Sequence, residues 1–142
     1  MILSVDASVA LKWFLNVRGD ESDCERARDL LLQVQRGEIA LAQPVHFIAE
    51  VAAVLAREKP KGALEDLRDL LDVEQRIIDT PETFATALEL SIRHQHHLFD
   101  TLYHAVALQS DDGVLVTADR RYYDKARGEG GIGLLSNGWP PA

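Results

Sequence analysis

Two short apolar runs, each stopping at an aspartate and giving way to a helix-like pattern, constrain this chain more than any other feature. The first is Ile2-Leu3-Ser4-Val5 ahead of Asp6, and the second is Val114-Leu115-Val116-Thr117-Ala118 ahead of Asp119. Runs of this length read as buried strands, and buried strands alternating with helices imply a parallel sheet covered on both faces. In open sheets of that kind ligands bind beyond the carboxyl ends of the strands, where both aspartates are delivered. Taken alone, Asp6 reads more readily as the cap of the helix that follows it, a place Ser8 could also fill.

Between and after these runs the hydrophobic period keeps switching. Residues 8–15 carry a short helix with Lys12 and Trp13, followed by a polar loop over 16–22. An amphipathic helix over 23–36 presents Ala27, Leu30, Leu31 and Val34 on one face and closes at Gly37. A short strand follows at 39–42, and Pro44 suits the first turn of a helix over 45–57. That helix is apolar nearly all round, with His46, Glu50 and Arg57 on one narrow stripe, so a buried helix and a buried carboxylate are expected. A further helix over 63–73, a strand at 76–79 and a helix from Thr80-Pro81-Glu82 through Phe84, Ala87, Leu88 and Ile92 come next. The His94-Gln95-His96-His97 cluster has neither a Cys partner nor an i, i+4 pair of its own, and reads as a solvated loop rather than a zinc site. Asp100 opens a helix with Leu102, Ala105 and Val106 on one side and Tyr103, His104 and Ala107 on the other. Residues 120–127 are helix-like, 132–135 form a last strand, and Gly138-Trp-Pro-Pro-Ala is expected to be a loosely held tail.

At 142 residues, with no linker, repeat or low-complexity stretch, residues 1–142 make one domain. No run approaches the ~20 apolar residues of a membrane span, and the basic flank and cleavage site of a secretory leader are lacking. With the single Cys24 these features fit a cytoplasmic protein. The formal charge of −8 argues against a general nucleic-acid coat protein but not against an enzyme meeting a polyanion at a local basic rim.

Picking four carboxylates out of 23 acidic residues proves nothing by itself, so placement must carry the selection. Asp6 and Asp119 end buried strands, Glu50 lies within an apolar helix, and Asp100 starts a helix after a loop. Buried carboxylates must be paired, protonated or bound to a metal. Two like charges ~4 Å apart repel by roughly 4 kcal/mol at an effective dielectric near 20, so four could gather only around a cation or with raised pKa values. Oxygen-only ligands favour a hard ion, Mg²⁺ or Mn²⁺, over zinc. For Glu50 the plainer alternative is a contact with His46 one turn away, and for Asp100 it is a helix cap.

The stretches Val5-Asp6-Ala7-Ser8 with Lys12-Trp13-Phe14, Phe47-Ile-Ala-Glu-Val, Phe99-Asp-Thr-Leu-Tyr and Thr117-Ala-Asp-Arg-Arg-Tyr-Tyr-Asp-Lys-Ala together resemble the PIN domains, specifically the VapC-type toxin ribonucleases of toxin–antitoxin pairs. The resemblance covers nearly the whole chain. It implies an α/β three-layer sandwich, a five-stranded parallel sheet flanked by about seven helices. It also implies that Asp6, Glu50, Asp100 and Asp119 are the acidic metal-site residues, with Ser8 and Thr117 as hydroxyl neighbours. The implied activity is Mg²⁺- or Mn²⁺-dependent hydrolysis of an RNA phosphodiester, with tRNA or rRNA as substrate, leaving 5′-phosphate and 3′-hydroxyl ends. A VapB-like antitoxin as inhibitor and a homodimer are implied as well. Arg120, Arg121, Lys125, Arg127 and Lys12 are candidates for a phosphate-contacting rim, against a default of solvated helix faces. The chain departs from the family pattern at Asn16-Val17-Arg18-Gly19, where relatives often carry Pro and acids, and at Thr101, where Ala is common.

A non-catalytic PIN-type binding module would share the fold, but such a module has no need to bear the repulsion of four acids. Receiver-type and phosphatase readings fare worse. The former expects a second acid beside Asp6, where Val5 and Ala7 stand, and a lysine after the last strand, beyond Lys125; the latter expects Asp where Ser8 stands.

Overall fold

A computed structural model describes residues 1–16 and 18–139. Val17, and Pro140 to Ala142 of the expected tail, lie outside the described residues.

Five parallel strands form one sheet: β1 (Ile2–Val5), β2 (Ala40–Gln43), β3 (Gln75–Ile77), β4 (Val114–Thr117) and β5 (Ile132–Leu134), in the order β3-β2-β1-β4-β5. The helices are α1 (Ala7–Ala10), α2 (Glu21–Gln35), α3 (Phe47–Glu58), α4 (Ala63–Asp72), α5 (Pro81–His94), α6 (Leu98–Leu108) and α7 (Arg120–Ala126). The α/β sandwich expected from the alternating runs is therefore the fold of the protein. Both aspartate-terminated runs are strands, and they are neighbours: Leu3 aligns with Val114, Ser4 with Leu115 and Val5 with Val116. From β1 the chain builds outward to β2 and β3, then returns to the other side of β1 with β4. The strand order thus reverses between β1 and β4, and open α/β sheets place their ligand crevice beyond the carboxyl ends at such a switch point.

Packing explains which elements read truly and which did not. β1 and β4 bury Leu3, Val5, Leu115 and Val116 completely. α6 is buried on every side from Thr101 to Ala107, because it lies between the sheet and α5. Leu102 and Ala105 meet Ala87 of α5, while Tyr103 and Ala107 join the main core, so the expected apolar and polar sides of this helix are both interior. α3 departs from expectation in the opposite sense. It starts at Phe47, with Pro44 to His46 forming the preceding turn, and only Phe47, Val51 and Leu55 are fully buried while Ala49, Ala53 and Ala56 are exposed. Alanine carries too little area to show in sequence which way it faces.

The stripes of α4 and α5 also face outward in part. Leu64 and Leu71 of α4, and Phe84, Leu88 and Ile92 of α5, are exposed, whereas α5 buries Thr83, Ala87 and Leu90. The tail is not loose where it is described. Leu135–Asn137 form a 3₁₀ turn and Trp139 packs on the core against Gly133. A Cβ on Gly133 would sit 2.2 Å from the Trp139 indole nitrogen, so only glycine lets the ring lie there.

Candidate functional site

Asp6 follows β1 and Asp119 follows β4, so neighbouring strands carry both to one crevice. Both also cap helices: Asp6 accepts from the Val9 amide at 3.4 Å, and Asp119 Oδ1 accepts from the Tyr122 amide at 3.2 Å. Capping and placement at the crevice are therefore the same geometry, not alternatives. Two hydroxyls join the strand ends. Ser8 donates to Asp6 Oδ1 and Thr117 donates to Asp6 Oδ2. Ser8 Oγ in turn accepts from the Ala118 amide at 3.0 Å, and Thr117 Oγ1 from the Asp119 amide at 3.0 Å. Ser8 and Thr117 thus stand where the sequence reading put them, as hydroxyl neighbours of the acids.

Asp100 is not the cap of its helix. His97 has that place, its Nδ1 accepting from the Phe99 amide at 3.0 Å. Asp100 lies in the first turn of α6, 43 % of its side chain is exposed, and Oδ2 meets His96 Nε2 at 2.9 Å. Freed from capping, this carboxylate reaches across to Asp119: ligand atoms of His96, Asp100 and Asp119 lie within 4.8 Å of one another.

Glu50 enters from α3. The Tyr103 hydroxyl donates to its Oε1 at 3.1 Å, and His46 Nε2 lies 3.7 Å from its Oε2. His46 donates that Nε2 proton to the Phe99 carbonyl at 2.8 Å, so the expected His46–Glu50 contact is secondary. Tyr103 is fully buried between the acids, and burial followed by the charges of Glu50, Asp6 and Asp100 pushes its hydroxyl far up.

Burial, more than mutual charge, sets the electrostatics of the acids. Burial raises the Asp6 carboxyl to about 6 against the bonds from Ser8, Thr117 and Val9, and the Asp100 charge adds to the rise. Burial also raises Glu50, offset by the Tyr103 hydroxyl and reinforced by Asp100. Asp100 is thus the charge common to Asp6, Glu50 and, by distance, Asp119. Among the described residues no lysine or arginine pairs with any of the four. A group of carboxylates with no fixed cation and a raised acid among them suits a hard divalent ion, and the donor set fits Mg²⁺ or Mn²⁺.

Two sequence expectations need correction. Lys12, a candidate for the phosphate rim, is paired with Asp20 and its side chain is only 16 % exposed. His96 is no solvated loop residue: its side chain is 10 % exposed and its ring packs against Tyr122, tilted by 58° with centroids 4.7 Å apart. Gln95 adopts a left-handed conformation (φ 48°), and the next residue's backbone is held by Ser91, which turns the ring inward. The four-residue spacing from His96 to Asp100 was the available signal. Tyr103 and Tyr122 left no such signal, since tertiary packing alone brings them to the acids. Arg120, Arg121 and Arg127 are exposed, and Lys125 is partly buried beside His96. A cleft of about 640 Å³ lined by Trp13, Phe14, Lys59 and Asp66 shares no residue with the acids.

The PIN domain family profile matches residues 3–128. No curated protein matches significantly. Among solved structures, PAE2754 from Pyrobaculum aerophilum superposes with a TM-score of 0.65 at 19 % identity, over 96 % of this chain and 91 % of that one. VapC20 of Mycobacterium tuberculosis, a sarcin–ricin-loop-cleaving toxin, superposes with a TM-score of 0.61 at 15 % identity, over 82 % of this chain and 87 % of that one. At such identities the superpositions speak for the fold alone. With a family match running from the first strand to the end of the last α-helix, and a sheet order that brings Asp6 and Asp119 to one crevice, this chain belongs to the PIN domain family.

Proposed function

We propose that this PIN domain is a Mg²⁺- or Mn²⁺-dependent endoribonuclease of the VapC type, acting in the cytoplasm on a structured RNA of the tRNA or rRNA class. The observation that supports the reading is the approach of Asp100 to Asp119 within 4.8 Å, with the Asp100 charge acting on both Asp6 and Glu50 and, among the described residues, no lysine or arginine paired to any of the four. A pure binding module has no physical use for such repulsion. The four carboxylates would hold the ion. Bound there, a hard divalent ion supplies Lewis acidity at the phosphate and a more acidic attacking water.

The protein's own groups set the frame. Ser8 and Thr117 fix both oxygens of Asp6, the start of α7 orients Asp119, and Tyr103 orients Glu50. Arg120 and Arg121, which follow Asp119 and are exposed, suit contact with the flanking phosphates. A cognate antitoxin that masks the crevice and a homodimeric state complete the proposal. The exposed leucines of α4 and the alanine face of α3 support a docking face for the antitoxin.

The experiment is cleavage of purified RNA with end-group analysis. Unaltered protein with Mg²⁺ or Mn²⁺ is expected to leave 5′-phosphate and 3′-hydroxyl ends, and Asp6→Asn or Asp100→Asn to lose at least 100-fold in rate while keeping the circular dichroism spectrum. Full cleavage by these variants, or by the parent in EDTA, would overturn the reading. Absence of saturable Mn²⁺ binding by calorimetry would favour the non-catalytic module instead.

A further inference from the structure

One side chain at the cluster, His96, is neither a carboxylate nor a cap, and its distance from Asp100 and Asp119 alone would make it a metal ligand. Its hydrogen bonds give it another role. Lys125 Nζ lies 3.2 Å from His96 Nδ1 and 3.4 Å from the Gln95 carbonyl. An ammonium group has only donors, so Nδ1 must accept and the ring proton sits on Nε2. Nε2 then donates to Asp100 Oδ2 at 2.9 Å.

The ring is held in this orientation from behind. Tyr122 packs against it in a tilted arrangement, and the Tyr122 hydroxyl donates to His104 Nδ1 at 2.9 Å because His104 Nε2 gives its proton to the Gly130 carbonyl at 2.7 Å. The His96 backbone is tied to Ser91 through both its amide and its carbonyl.

A ligating nitrogen must be unprotonated. For Nε2 to bind an ion, the ring proton would have to move to Nδ1, where it would point at the Lys125 ammonium, donor against donor. For Nδ1 to bind, Lys125 would have to leave. We infer that His96 is a positioning residue rather than a ligand: Lys125 fixes its ring with the proton on Nε2, and the ring holds Asp100 by Oδ2. This rests on the metal-dependent reading above. Groups that orient ligands in this way commonly change metal affinity 10- to 100-fold when removed.

The test combines three measurements. Nitrogen-15 NMR of the metal-free protein is expected to show His96 as the Nε2-protonated tautomer, with the preference kept in Lys125→Arg and lost in Lys125→Met. Calorimetric titration with Mn²⁺ is expected to show binding weakened about 10-fold or more in His96→Phe and largely restored in His96→Gln, whose amide can still donate. Pulsed electron paramagnetic resonance of the Mn²⁺-loaded protein is expected to show no directly bound nitrogen. An Nδ1-protonated ring, a coordinated nitrogen, or unchanged affinity in His96→Phe would overturn the inference while leaving the metal site standing. No saturable Mn²⁺ binding by the unaltered protein would instead remove the metal site itself, and the role of His96 with it.

Discussion

Asp6 accepts hydrogen bonds on both oxygens, yet burial still lifts its carboxyl from 3.8 to about 6. Between those values the folded, metal-free protein binds a proton that the unfolded chain has released, so Asp6 favours folding at low pH and loses that contribution as pH rises through about 6. The rise corresponds to about 3 kcal/mol at pH 7. Asp6→Asn keeps an acceptor for Ser8 and cannot ionise. In EDTA it is expected to be more stable than the parent at pH 7.5 by about 2–3 kcal/mol and indistinguishable from it at pH 4, as read from urea unfolding. Parallel pH profiles for the two proteins would refute this account. Thr117→Val removes the hydroxyl that serves both Asp6 and the Asp119 amide, and is expected to cost about 1–3 kcal/mol in thermal or urea unfolding. At this scale the positions of Asp6 and Asp119 just after β1 and β4 were legible, because strand ends and caps are local. Legibility failed at His96, whose ring is turned inward by a left-handed Gln95 and whose one trace in the sequence is the four-residue spacing to Asp100.

Among elements, β5 and the segment after it depend on one close approach. Gly133→Ala would drive a methyl into the Trp139 ring. The indole must leave the core face, at an expected cost of about 1–3 kcal/mol. In a Trp13→Phe background the fluorescence of Trp139 should shift to the red; an unshifted spectrum would contradict the packing. The sheet was readable in the sequence because β1 and β4 are apolar but for Ser4 and Thr117. The orientation of the helices was not. The 3.6-residue stripe of α5 is real, but Phe84, Leu88 and Ile92 point to solvent while the small Ala87 faces α6. A stripe says that a face is apolar, not which neighbour meets it. The same ambiguity hid the interior position of α6, whose supposed polar side holds Tyr103 and His104, both completely buried.

For the whole molecule, that outward stripe on α5 is continuous along one helix face, which suits the proposed homodimer. Sedimentation equilibrium is expected to give a dimer for the parent and a monomer for Leu88→Asp combined with Ile92→Asp, with unchanged circular dichroism; a monomeric parent would refute it. The last consequence lies in time rather than space. The bond from Thr117 to Asp6 spans 111 positions, and the partner of β1 on that side is made long after β1 itself. A nascent polypeptide stalled before β4 lacks Thr117 and Asp119 and cannot complete the acidic site. The acidic site at the ends of β1 and β4 is therefore complete only when synthesis is nearly finished.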